Sequence, residues 1–388
     1  MCTRNLQDTD LTAKAGYNSE FEFYRINSMN QAATPDQERQ WIRQAHSVVS
    51  DLFERKPSLY WIDLAASATV AWTATIIFFA APAWSLWQLS GLILAGIGFF
   101  RAGTFMHEII HMKRGEMVWF KHAWNLVIGV PLLMPWILYR NHIEHHSRAH
   151  FGTPRDGEYL PLAAAPLRET LKYLLQIPLL SLMALGRFGL AGPVSWFIPR
   201  LRHWLLARGS AYVSNPYYRK PFPQKERRHL AMVEAFCLAW IGFWLVLTLL
   251  GPVEWIHWLM AWLLHAWTLG LNWVRNLAAH SYANRGETMS HLEQLQDSVN
   301  ITGQTWLTIW LFPVGLRYHA LHHLFPGLPY HNMGKAHRRL MERFGDDSPY
   351  TKANHDNYFA VVTQLFRHAS RTPSSESAIS VWQSHSRA

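Results

Sequence analysis

Nine histidines fall into short, regularly spaced groups: His107 and His111; His142, His145 and His146; His280; and His319, His322 and His323. Written out, the groups are HEIIH, HIEHH, NLAAH and HALHH. Spacings of three and four residues put side chains on one face of a helix, so each group presents clustered imidazoles. Imidazole is a good ligand for iron, copper and zinc. Nine exceed what one ion takes, whereas a pair of ions can share them. A lone buried histidine is ordinarily a packed, hydrogen-bonded residue. His122, His203, His257, His265 and His291 obey no such spacing and are read that way.

The elements that must position these groups are apolar. Residues 60–84 and 86–105 are each about 20 apolar-dominated residues, enough to span a bilayer, and 229–250 and 254–274 form a second such pair. Very short connectors join the members of each pair, so the reading is two membrane hairpins. The connectors lack Lys and Arg, whereas 200–228 carries Arg200, Arg202, Arg208, Arg219, Lys220, Lys225, Arg227 and Arg228. The positive-inside rule then places the long segments, and every histidine group, on the cytoplasmic side. The net charge of +10 reads as topology and anionic-lipid contact, not nucleic-acid binding. Two further apolar stretches, 118–138 and 171–197, contain prolines and are flanked by segments on one side. They are read as re-entrant or interfacial helices.

The expected fold class is all-α and polytopic, with four transmembrane helices and a cytoplasmic helical cap. Residues 1–33 are expected to be disordered, and 34–56 to form an amphipathic helix on the membrane. The latter opens with Thr34-Pro35-Asp36-Gln37, a capping-box pattern with proline at the first helical position. Residues 57–345 form the membrane domain, and 346–388 a terminal segment with a loose Ser-rich tail. No cleavable signal peptide is visible, and Cys2 and Cys237 do not make a disulfide framework.

HEIIH also matches H-E-x-x-H, in which two histidines bind zinc and Glu108 would act as base. A zinc protease needs one more ligand and an open position for water, which leaves most of the other histidines unused. A histidine-lined transporter would distribute its ligands along the membrane midplane, whereas these groups sit at helix ends. HEIIH, HIEHH and HALHH together resemble the membrane fatty-acid desaturase and hydroxylase superfamily, from about Tyr60 to Arg339. Asn276-Leu277-Ala278-Ala279-His280 is similar to the NxxxH element of stearoyl-CoA desaturases.

That resemblance implies two iron ions held in the cap by the nine histidines, with Asn276 reaching a metal through water. It implies dioxygen as co-substrate, and a fatty acid, fatty acyl thioester or lipid as substrate. Desaturation is the first expectation; hydroxylation, or decarboxylation to a terminal alkene, is the alternative. Metal-bound histidines usually give their other N–H to a carboxylate or carbonyl; Glu108, Glu144, Asp156, Glu158, Glu287, Glu293 and Asp297 are the candidates. His150, one turn beyond His146, is a further candidate ligand. Lacking a haem domain, a dinucleotide fingerprint or a cysteine cluster, the chain is expected to draw electrons from a ferredoxin, rubredoxin or cytochrome b5-type carrier and its reductase. The expected location is a bacterial inner membrane.

Overall fold

The computed structural model describes residues 34–346 and 348–386, so the expectation for 1–33 lies outside the described residues. The chain divides into two compact units, Met1–Ser47 and Val48–Ala388. Helix α1 (Pro35–Val49) carries the described part of the first. The Gln37 N–H donates to Thr34 Oγ1 at 3.3 Å, and the Thr34 N–H donates to Gln37 Oε1 at 2.8 Å. This is the reciprocal arrangement of a capping box.

In the second unit, α2 (Pro57–Ala80) and α3 (Leu86–His111) form a hairpin. Ser85 caps α3 by accepting from the Gln88 N–H at 3.2 Å. The two helices pack together closely enough that a Cβ at Gly98 would lie 2.9 Å from the Ala71 backbone. Small residues are what permit such an approach between membrane helices. A second hairpin joins α9 (Arg227–Leu249) to α10 (Ile256–Asn276) through a turn at Gly251, whose φ of 96° suits glycine. Both hairpin tips expose large apolar side chains, Trp84, Leu86 and Trp87 at one and Leu249, Leu250 and Trp255 at the other. Such tips suit the lipid interface.

Among the described residues, four helical runs are long and apolar enough to cross a membrane: Pro57–Ala80, Leu86–His111, Leu167–Phe197 and Gln224–Leu249. Three of these match expected spans. Helix α10, the expected fourth, falls outside the set, because His257, His265, Asn272 and Arg275 dilute its 21 residues. The Leu167–Phe197 run comprises α6 (Leu167–Gly186), a π-helical turn (Arg187–Ala191) and α7 (Gly192–Phe197). His142 lies 4.5 Å from His107 at the end of α3, so the two ends of segment 118–138 lie together and it returns to the side it leaves. Segment 118–138 is also broken into α4 (Val118–Trp124), a π-helical turn (Asn125–Gly129) and a 3-10 turn (Trp136–Tyr139). The first two pieces together reach about 18 Å, short of a bilayer core of about 30 Å.

The remaining elements are short. They are α5 (His142–His145), α8 (Pro199–Arg208), α11 (His291–Asp297), α12 (Thr305–Leu311), α13 (His319–Leu324), α14 (Tyr330–Phe344), α15 (Tyr358–Arg371) and α16 (Ile379–His385). Strand β1 (Asn300–Ile301) pairs in parallel with β2 (Asn354–His355). The tail expected to be loose is packed instead. Ala378, Ile379 and Trp382 are buried, and the Trp382 indole donates to the Tyr159 carbonyl at 3.2 Å. Three apolar anchors outweigh the serine-rich composition around them.

Candidate metal centre

The nine histidines converge into two groups. One nitrogen each from His107, His111, His142, His146 and His322 lie within 4.8 Å of one another, and so do those from His145, His280, His319 and His323. None of the other histidines joins a group among the described residues. His150 bonds Ser147 Oγ at 2.7 Å instead.

Local structure explains the convergence. His107 and His111 stand one turn apart on the last turn of α3. His142, His145 and His146 come from α5 and the residue after it, and His319, His322 and His323 from α13. Because α5 turns His145 away from its neighbours' side, one box feeds both groups. His280 sits just beyond α10, where residues 298–301 clasp it. Val299 N–H donates to the Ala279 carbonyl at 2.9 Å, Ile301 N–H to the Arg317 carbonyl at 2.8 Å, and Leu321 N–H to Asn300 Oδ1 at 3.1 Å. One short segment thereby ties the NLAAH turn to α13. Nothing in its sequence, Ser-Val-Asn-Ile, announces that task.

The nitrogens fit metal ions. Nε2 atoms face one another at 3.0 Å in His142–His146, His146–His322 and His280–His319, and at 3.2 Å in His319–His323. Ligand nitrogens about 2.1 Å from an ion are about 3.0 Å apart at a right angle and about 3.4 Å apart at the tetrahedral angle. The buried Nε2 atoms of His107 and His111 have no hydrogen-bond partner among the described residues. Burial, reinforced by neighbouring imidazoles, holds His142, His146, His319, His322 and His323 well below the usual histidine range. They are therefore neutral, as a ligand must be.

Three of the seven candidate carboxylates back a histidine. Asp156 Oδ2 is 2.8 Å from His145 Nδ1, Glu158 is 3.0 Å from His142 Nδ1, and Asp297 Oδ2 is 3.3 Å from His280 Nδ1. Burial alone would lower His145, yet the Asp156 carboxylate raises it above its ordinary value. Glu158 is pushed up to about 7 by burial. Of the others, Glu144 pairs with Lys220, Glu293 closes a capping box with Ser290, and the Glu287 carbonyl accepts from Asn284. Glu108 is buried and accepts from the Tyr60 hydroxyl, with the Tyr330 N–H at 3.4 Å. A carboxylate committed there is no hydrolytic base, which removes the protease reading. Replacing Asp156 with asparagine is expected to lower metal affinity or activity by roughly 10- to 100-fold, measured by chelator competition.

Both groups line one cavity of about 520 Å³ between α3, α6 and α10, with Phe99, Phe100, Leu180 and Leu269 among its apolar walls. Asn276 lines it as well, although its side-chain oxygen accepts from Arg275 Nη2 and it joins neither group. Sequence reasoning missed Tyr139, whose hydroxyl donates to Glu158 at 2.8 Å beside His142. It also missed Arg275, a buried arginine in the last turn of α10 that lines the same cavity.

Apolar hairpins that end in two metal-compatible imidazole groups describe a membrane oxidoreductase. The chain belongs to the fatty acid desaturase family, whose model matches residues 82–354. It is similar to a ceramide hydroxylase from Caulobacter vibrioides, 36% identical over 330 residues that cover 84% of this chain and 93% of that protein. It is also similar to chloroplastic omega-6 fatty acid desaturases. That from Spinacia oleracea is 24% identical over 79% of this chain and 65% of its own length. The one from Arabidopsis thaliana is 22% identical over 72% and 58%. The chain thus spans less than two thirds of these plant proteins.

Proposed function

We propose that this chain is a dioxygen-dependent di-iron hydroxylase acting on the aliphatic part of a membrane lipid, with an amide-linked lipid of the ceramide class as substrate. The observation that carries the reading is the shared cavity: both histidine groups open on it, and its walls are apolar. The family resemblance of the boxes, hairpins and NLAAH element makes desaturation the first expectation. The likeness to a ceramide hydroxylase along nearly that protein's whole length puts hydroxylation ahead.

Two irons in these groups would supply the oxidation of an unactivated C–H bond by dioxygen. The balance for hydroxylation is one C–H, one O2, two electrons and two protons giving one C–OH and one water. The protein's own part is positional. His107, His111, His142, His146 and His322 would hold one ion, and His145, His280, His319 and His323 the other. Asp156 and Glu158 fix the orientation of His145 and His142 by accepting at Nδ1, while Ser298 Oγ bonds His280 Nδ1 at 3.3 Å with Asp297 beside it. The phenyl and leucine walls exclude water and receive the hydrocarbon, which gains about 0.8 kcal/mol per buried CH₂. Asn276 would reach its ion through water, with its amide oriented by Arg275.

The electrons are proposed to come from a separate acidic carrier of the ferredoxin, rubredoxin or cytochrome b5 type, attracted by the basic residues between 200 and 228. Those residues also support a cytoplasm-facing site in a bacterial inner membrane.

Mass spectrometry of lipids from expressing cells tests the reading. A ceramide-class lipid that gains one oxygen is the expected product. Loss of two hydrogens would instead select desaturation, favoured by the plant relatives, and release of a terminal alkene would select decarboxylation. Lipids identical to those of control cells, with the protein present and iron-loaded, would reject all three.

A further inference from the structure

Helix α10 carries a cation inside the bundle that its own surroundings leave incompletely partnered. Arg275 is 7% exposed. Its Nη2 donates to Asn272 Oδ1 at 3.0 Å and to Asn276 Oδ1. Its Nε and Nη1 are buried and have no hydrogen-bond partner among the described residues. Glu158, the carboxylate whose field reaches it, is committed to Tyr139 and His142. Buried polar groups are hydrogen-bonded almost without exception, and a buried charge is costly when unpaired. The neighbouring imidazoles make matters worse, because ions held by neutral ligands would add positive charge close by.

Position tells what the missing partner is. Arg275 lines the cavity together with members of both histidine groups, and it acts electrostatically on His107 of one and His319 of the other. Along α10 the cavity wall runs on to His265, about 15 Å deeper at 1.5 Å per residue. Phe99, Phe100 and Leu180 line the same cavity and suit hydrocarbon, and the exposed Arg208 and Arg219 line it as well. Arg275 thus shares one cavity with apolar walls and with members of both histidine groups.

We propose that Arg275 determines specificity: Nε–H and Nη1–H donate to an oxygen of the lipid's polar linkage, a carbonyl or hydroxyl, so that oxidation falls on a carbon near that linkage. A hydrocarbon tail alone would leave these donors unpaired, and a site built to hydrogen-bond an oxygen rejects the analogue that lacks it. The inference deepens the hydroxylase reading and rests on it for the reaction, while the Arg275–oxygen contact can be measured without turnover.

The test uses purified iron-loaded enzyme in detergent, with tryptophan fluorescence reporting the binding of a short-chain ceramide and of an n-alkane of matched length. Arg275→Met is expected to weaken ceramide binding roughly 10- to 100-fold, the range for a hydrogen bond to a charged group. Alkane binding is expected to stay unchanged and most iron to stay bound by the histidines, and Arg275→Lys to recover part of the loss. Wild-type product is expected to carry its new oxygen near the amide or sphingoid hydroxyls, located by tandem mass spectrometry.

Equal ceramide affinity in wild type and Arg275→Met overturns the proposal. So does a parallel loss of iron and ceramide binding, or a new oxygen near the methyl end. If Arg275→Met does not fold, the wild-type preference for ceramide over alkane and its reduction in Arg275→Lys carry the decision. Iron-loaded wild type that binds ceramide with this preference yet makes no oxygenated lipid would sink the hydroxylase reading and leave the contact standing.

Discussion

Replacing His322 with alanine is expected to abolish turnover and to strip iron from the protein. His322 Nε2 meets His146 Nε2 at 3.0 Å inside the five-histidine group, and its ring is 4.1 Å from that of His107. Changes one layer out from a metal cost roughly 10- to 100-fold in affinity or activity, so loss of a direct ligand should exceed that range. His323→Ala should act in the same way on the four-histidine group. Iron content by elemental analysis, together with an unchanged helical circular dichroism spectrum, separates metal loss from unfolding. Full turnover by both variants would show that the two groups are not the reaction centre.

The second large effect concerns stability. Glu234 of α9 is 1% exposed, and its carboxylate accepts from Arg187 Nη2 and, at 2.8 Å, from Arg202 Nη1. Arg187 further donates from Nε to the Gly209 carbonyl at 2.6 Å. Removing one partner of a buried pair leaves the other charge uncompensated, at a cost of about 3–5 kcal/mol. Glu234→Leu should therefore melt well below the wild type in detergent. Most of that cost comes from the unpaired guanidinium that stays behind, so Arg187→Leu added to Glu234→Leu should recover part of it. A single variant that melts with the wild type would contradict the account.

The histidine groups were legible because helical spacing is a local property, visible in any four or five consecutive residues. Which group each histidine would join was not. His145 and His146 are adjacent, yet they serve different groups, and only the turn of α5 separates them. The same limit applied to carboxylates. Asp156 and Glu158 follow the second box closely and do back it, whereas Glu108, inside the first box, turns to Tyr60. Composition also misjudged the tail: Ala378, Ile379 and Trp382 anchor a segment that serine content marked as loose, so a few side chains with specific partners overrode the average of their neighbours. The clasp at 298–301 had little readable signal, because two of its three bonds are made by backbone groups that every sequence possesses and only the third by the Asn300 side chain.

The distribution of the histidines along the chain also sets when the site comes into being. A polypeptide made only as far as Tyr318 would hold four of the five members of one group and two of the four of the other. Nascent or clipped molecules that end there therefore have neither histidine group complete, and both groups close only when the chain has been made through α13.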